Sequence, residues 1–435
     1  MDLQNGYNGA EELDLIGTPF SVLESDPGLF TMLLHEMGVE GLEVTEVYDI
    51  APWAIDHLSP RGLIFCYLCP EETQGDRDDV ETYDAPDADA EDVWFANQLA
   101  DNACASQALL NVVLNCENID LGERLGSFLS DTCKMSPEMK GLAITNSPFI
   151  RHAHNSFTRP ADTRASYHAA ASSALKYAKS KKPEQTGKRK SGKGFSNRKK
   201  VGKPENNQDA YHFIGYVPRH GKVWELDGLR FSGPLEVGEI SPGSNWINVL
   251  RPVLKMRMQR FLSGADENTD HIKYNLLAVV EDKYRKASDE MEMLKRERAA
   301  LERRLQETYP DEWSNRVRIS SSCPVDETFT TSVQPDSYGP TFSKDFGARK
   351  MEKDMAILDM PARRIPASWE ACVQSALSVK LTIEEEVEKA KAANTENLNR
   401  IFDYEPLFRA IITSMHAEGT LDEIISPPKM KKTKR

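Results

Sequence analysis

Two stretches of opposite charge cut this chain into blocks that must find one another in space. Residues 71–92 carry eleven acids and one arginine, net −10, while residues 176–203 carry twelve Lys or Arg against Glu184 alone, net +11. Segments so charged and so poor in apolar side chains cannot bury enough surface to offset the entropy of ordering them, so both read as solvated insertions. Any core must be assembled from the sequence around them. Their charges nearly cancel, so the net charge of −14 hides both, and the rest of the 435 residues carries −15.

That overall acidity disfavours a nucleic-acid binder, which shows a basic domain. The length suggests two or three domains. No apolar run has the roughly 18 residues of a membrane span, and the first residues (MDLQNGYNGAEELDL) form no apolar leader. Seven cysteines, odd and sparse, suit free thiols in a reducing compartment. The expectation is a soluble protein of the cell interior.

Between the insertions the pattern is legible. Residues 62–69 (GLIFCYLC) read as a buried strand, and 98–116 as an apolar helix. Residues 121–157 read as helix and turn. The runs 210–217 and 223–227, joined by Pro218–Lys222, predict a β-hairpin. Across 274–308, Leu277, Val280, Tyr284, Ala287, Met291, Leu294, Leu301 and Leu305 follow a 3/4 spacing broken at Arg298. This predicts a long amphipathic helix within 270–310, packed on a partner or on the domain behind it. Residues 311–362 read as a disordered linker and 363–425 as a helical docking module. The tail 426–435, ending KMKKTKR, reads as a nuclear import signal or a solvated terminus.

The segment around Cys104 carries the most chemistry. After Asn102, the positions Ala105, Ala108, Leu109, Val112 and Val113 recur at helical spacing, so Cys104 falls in the first turn of a buried helix. A helix N-terminus and a nearby imidazole supply thiolate from a group that is otherwise protonated. The Gln98 amide could donate to a developing oxyanion. The alternative is a core cysteine. His212, on a strand, could take the thiol proton, and Asp227 on the partner strand could hold the imidazole in one tautomer. The alternatives are a structural histidine and a turn-forming aspartate.

Other motifs carry less. Cys66 and Cys69 form C-x-x-C, but no second pair has zinc-like spacing. Gly187–Lys193 fits a phosphate-loop pattern, but Gly194 stands in place of the Ser/Thr and no strand precedes it. His152 and His154 have no further ligand nearby. No metal and no cofactor are expected.

The order Gln98, Cys104, His212, Asp227 resembles the ubiquitin C-terminal hydrolase (UCH) family of thiol deubiquitinases. Further agreement lies in 24–30 (ESDPGLF), 41–47 (GLEVTEV), 136–141 (SPEMKG), 154–157 (HNSF) and 224–228 (WELDG). The resemblance covers about 15–265 and implies an α/β, papain-like fold. It predicts a central antiparallel sheet flanked by helices, a knotted backbone and a helical C-terminal extension. By that resemblance Cys104 is the nucleophile and His212 the general base and later proton donor. Asp227 orients His212, and Gln98 joins the Cys104 backbone N–H as oxyanion hole. The implied reaction is hydrolysis after the C-terminal Gly of ubiquitin through a thioester.

Residues 271–278 (HIKYNLLA), 383–391 (IEEEVEKAK) and 404–412 (YEPLFRAII) resemble the long-chain, proteasome-associated branch of the family. There the C-terminal ULD domain docks on a ubiquitin receptor of the proteasome cap, while a relative uses its own on chromatin. The implied partners are ubiquitin conjugates and that receptor, with no membrane, in cytoplasm and nucleus. Other readings are a catalytically inactive ubiquitin-binding scaffold and an enzyme acting on a ubiquitin-like modifier.

The basic insertion, 158–209, falls in the crossover loop that limits what can thread to the thiol in the family. Loop closure costs grow slowly with length, so a long loop should admit bulkier conjugates. Both insertions are expected to be anchored beside the catalytic centre and to attract each other across the cleft, giving salt-dependent activity. The alternative is two independent solvated loops.

Overall fold

The computed structural model describes residues 18–69, 88–180, 210–263, 274–310, 317, 325–330 and 340–425. Six strands, β1 (Leu42–Glu46), β2 (Gly62–Cys69), β3 (Ala210–Arg219), β4 (Lys222–Leu226), β5 (Leu235–Glu239) and β6 (Tyr274–Glu281), form one sheet. Their order is β1-β6-β2-β3-β4-β5, antiparallel throughout. The predicted hairpin is present, turning on His220 and Gly221, both with positive φ (52° and 73°). Two such residues match the twist of the flanking strands.

Alternate strand residues face opposite sides, and each side has its own core. Ile64, Cys66, Phe213 and Val217 pack with helices α1 (Pro27–Glu36), α3 (Cys104–Val113), α4 (Gly122–Thr132), α5 (Pro137–Asn146) and α6 (Pro148–Asn155). Leu63, Phe65, Ile214 and Tyr216 pack with the short α2 (Pro52–Ile55) and α8 (Ile247–Ser263). Local sequence sets several helix starts. Asp26, Ser136 and Ser147 each precede a proline and cap α1, α5 and α6 through their side chains. A capping oxygen satisfies a free N–H, and proline at the first position gives up a donor that had no partner. The expected antiparallel sheet flanked by helices is therefore the observed architecture.

A third core lies C-terminal to the sheet. Helix α9 (Lys283–Thr308) runs antiparallel to α12 (Ile365–Ile401), since Trp369 Nε1 donates to Glu302 and the Cys372 thiol to the Leu294 carbonyl. Ala287, Met291, Leu294, Leu301 and Leu305 meet Ile365, Trp369, Cys372, Ala376, Ile383 and Val387. The break at Arg298 is filled by ion pairs to Glu302 and Asp326, 2.7 Å each, and by the Phe329 ring under its guanidinium. The partner of the amphipathic helix is thus α12 of the same chain. Beyond α12 come α13 (Glu405–Ala417) and α14 (Thr420–Ile425).

Several expectations are corrected. The helix within 270–310 begins only at Lys283; residues 274–281 are β6, hydrogen-bonded between β1 and β2. Leu276–Val280 is apolar on both faces because both faces of the sheet are covered, and such a run also satisfies a helical spacing. The catalytic sheet therefore extends past residue 265. The crossover segment 158–209 opens with a helix, α7 (Pro160–Ser180), whose seven alanines favour that state. The segment 311–362 contains α10 (Val325–Thr328) and α11 (Phe346–Leu358), the latter burying Phe346 and Ile357. Residues 88–92 of the acidic insertion form a 3₁₀ turn, and Asp89 pairs with Lys222 at 2.9 Å, beside the hairpin turn and far along β3 from His212. The acidic insertion thus leaves beside the catalytic end, where Cys69 is in register with Ala210, but returns at the opposite end. The expectations about residues 70–87, 181–209 and 426–435 lie outside the described residues.

Candidate active site

Asn102, with φ of 61°, turns the chain into α3. Asparagine tolerates this left-handed conformation better than most residues, and its Nδ2 donates to the Phe20 carbonyl at 3.2 Å. Cys104 is the first residue of α3, as predicted, and Ala103 before it provides no side-chain cap. First-turn N–H groups of a helix lack intrahelical acceptors, so those of Cys104 and Ala105 are left to interact with the sulfur.

Gln98 is held above this turn by a device that periodicity of apolar residues did not reveal. Buried Gln107 and Asn111 on α3 and Asn115 two residues past its end, spaced by four, bond the backbone of 94–96. Gln107 Nε2 donates to the Ala96 carbonyl at 2.5 Å. Asn111 accepts from Ala96 N and Asn115 from Trp94 N, both at 2.9 Å. Asn115 Nδ2 also donates to the Trp94 carbonyl at 2.7 Å. The signal was amides at i, i+4 and i+8 along an apolar helix and the turn that ends it. Gln98 N then donates to the Gly228 carbonyl at 2.7 Å, tying it to the turn that carries Asp227. Among the described residues the Gln98 side-chain Nε2 has only a long contact, 3.4 Å, to the Ala100 carbonyl, so it can turn to another acceptor.

His212 is buried on β3, and its Nε2 lies 2.7 Å from Asp227 Oδ1. Asp227 Oδ1 also accepts from Leu229 N at 3.0 Å. A carboxylate can only accept, which puts the ring proton on Nε2 and leaves the Nδ1 lone pair for an incoming proton. The Cys104 thiol donates to the carbonyl of Tyr211, the residue before His212, at 3.8 Å. Among the described residues the thiol and the imidazole share no hydrogen bond. Burial pushes the thiol up to about 11, while the N–H groups of Ala105 and Cys104 pull it down. The resting sulfur is therefore a thiol, next to the strand that carries His212.

The set-aside motifs also have places. Cys66 is a buried free thiol. His154 is fully buried, with Nε2 donating to the Ser21 carbonyl and Nδ1 accepting from Ser106 Oγ, each at 2.7 Å. Among the described residues no cluster of His, Cys, Asp and Glu suits a metal.

Residues 20–259 match the family described as ubiquitin carboxyl-terminal hydrolase, family 1. The isozyme L5 of Dictyostelium discoideum is 34% identical over 286 residues, 66% of this chain and 68% of the relative. Calypso of Drosophila grimshawi is 33% identical over 77% of this chain and 65% of its own. BAP1 of Gallus gallus is 32% identical over 73% of this chain but 42% of its own, so this chain spans well under half of that relative. A crystal structure of Trichinella spiralis UCH37 bound to ubiquitin vinyl methyl ester shares 29% identity over 63% of this chain and 87% of that one, with a TM-score of 0.43. The family match takes in more than half the chain, and Gln98, Cys104, His212 and Asp227 all fall within it. The chain belongs to the ubiquitin carboxyl-terminal hydrolase family of cysteine hydrolases.

Proposed function

We propose that this protein hydrolyses the bond after the C-terminal glycine of ubiquitin, with Cys104 as nucleophile. His212 Nδ1 takes the thiol proton as sulfur attacks the carbonyl, and Asp227 steadies the imidazolium that forms. The Gln98 amide and the Cys104 backbone N–H receive the oxyanion. His212 then protonates the leaving amine, and water, deprotonated by the same nitrogen, releases the thioester. The observation that carries this reading is the 2.7 Å His212–Asp227 bond beside an uncapped helix whose first residue is Cys104. The test is labelling with a ubiquitin bearing a C-terminal electrophile. One adduct is expected on the full chain and none on Cys104→Ala; an unlabelled wild type favours an inactive ubiquitin-binding scaffold.

The C-terminal helices support a docking role. Leu407, Phe408, Ile411 and Ile412 on α13 are 45–59% exposed, as are Leu398 and Phe402 nearby. A contiguous apolar surface of this kind marks a protein contact. The proposed partner is a ubiquitin receptor of the proteasome cap, which implies presence in cytoplasm and nucleus. A chromatin partner is the second reading, implied by the same family resemblance. Affinity capture with the full chain and with Phe408→Glu/Ile411→Glu, scoring both sets of components, separates the two.

A further inference from the structure

Tyr67 stands opposite His212 in the β2–β3 register. Its ring meets the imidazole edge to face, with centroids 5.7 Å apart and planes at 89°. The tyrosine is held from its other side: Phe65 stacks on it at 5.8 Å and on Tyr274 at 5.9 Å, and Tyr67 is itself in register with Tyr274. Beside this row, Arg257 of α8 donates to both Glu225 oxygens, at 2.8 and 2.7 Å, and to the Tyr216 hydroxyl at 2.6 Å. Tyr67 lies within electrostatic reach of Tyr216 and Arg257. Since Glu225 lies on β4 two residues before Asp227, Arg257 ties the strand that leads into the aspartate to the strand bearing the histidine.

A single hydrogen bond does not fix an imidazole. The ring can still rock about the Nε2···Oδ1 line, and the atom that moves is Nδ1, the one that must meet the thiol. A second ring set perpendicular to the first blocks that rotation. We propose that Tyr67 is a positioning residue for hydrolysis, its ring holding His212 so that Nδ1 keeps one direction as Cys104 gives up its proton. The proposal rests on the assignment of His212 as general base. Ordinary cross-strand packing is the competing explanation, and it predicts lost stability with turnover intact.

The variants are Tyr67→Leu, Tyr67→Ile and Tyr67→Phe, beside His212→Ala, each in the full chain with a fluorogenic ubiquitin substrate. Tyr67 is only half-buried near its strand end, so an aliphatic side chain is accommodated; the β-branched variant keeps the test open if leucine loosens the strand. Tyr67→Leu and Tyr67→Ile are expected to lose on the order of 10²-fold in kcat, the scale of a small misplacement of a reacting group, with KM within about twofold of wild type. Tyr67→Phe, which keeps the ring, is expected to restore kcat. If the aliphatic variants turn over like wild type while His212→Ala is inactive, Tyr67 has no positioning role. If His212→Ala is itself active, the assignment of the base falls, and the proposal with it.

Discussion

Cys104, the proposed nucleophile, rests as a protonated thiol, because burial outweighs the two N–H groups at its helix end. Its alkylation by iodoacetamide should therefore rise about tenfold per pH unit up to pH 9, following the small thiolate fraction. A plateau reached by pH 6 would show a resting thiolate–imidazolium pair and contradict this picture. Gln98→Ala should lower kcat on the order of 10²–10³-fold, about 3 kcal/mol, with KM little changed, as for a lost oxyanion donor. His154 makes a different residue-scale prediction. Burial holds its pKa down at about 4, against 6.5 normally. The unfolded chain takes up that proton at higher pH than the folded one. The stabilisation is thus complete above pH 6.5 and is lost as pH falls toward 4, about 3 kcal/mol in all. Urea unfolding at pH 7.5 and 5 should show the loss, and His154→Gln should flatten it.

At the scale of elements, the amides of Gln107, Asn111 and Asn115 join the helix bearing Cys104 to the segment bearing Gln98. Asn111→Ala leaves the Ala96 N–H without its 2.9 Å partner in a buried site. It should destabilise the protein by roughly 1–3 kcal/mol and lower kcat by releasing Gln98, a combination that denaturation and steady-state kinetics measure separately. Gly228 is the other joint. A Cβ there would lie 3.2–3.3 Å from Gln98 and Gln107, tighter than ordinary van der Waals contact. Gly228→Ala should therefore reduce kcat more than it lowers the melting temperature. An unchanged kcat would mean that the loop yields without moving the amide.

Across the whole molecule, the long helix α12 is part of the folded body as well as the base of the proposed docking surface. Besides covering α9, α12 comes down on the catalytic domain. A Cβ added at Gly28 would lie 3.0 Å from Ala393 Cβ, Lys389 pairs with buried Glu43 at 3.6 Å, and Arg400 reaches Glu24 at 3.3 Å. Deleting residues 364–435 would bare Met291, Leu294, Leu301 and Leu305 together. The truncated chain should bind a hydrophobic dye and aggregate, whereas Phe408→Glu/Ile411→Glu should melt like wild type because those side chains are exposed. A monodisperse truncated protein would show that α9 needs no cover.

What the sequence determined by itself was local or marked by side-chain type. The strand at 62–69, the hairpin, the helix opening at Cys104 and the face of α9 follow from apolar period and turn residues that act within a few positions. The candidate site residues were legible because a family resemblance joined blocks that spacing alone leaves apart. The tertiary structure decided the rest. A continuous apolar run such as Leu276–Val280 fits either a helix or a doubly covered strand, and only the vacancy between β1 and β2 makes it β6. The α11 helix within 346–358 is held by burial on α9, which no local pattern records. The described ends of the acidic insertion lie at opposite ends of the sheet, Cys69 in register with Ala210 and Asp89 paired with Lys222, a separation that only strand pairing records. The place of Tyr67 beside His212 is likewise a fact of register, and register is a relation between strands about 145 residues apart in the chain.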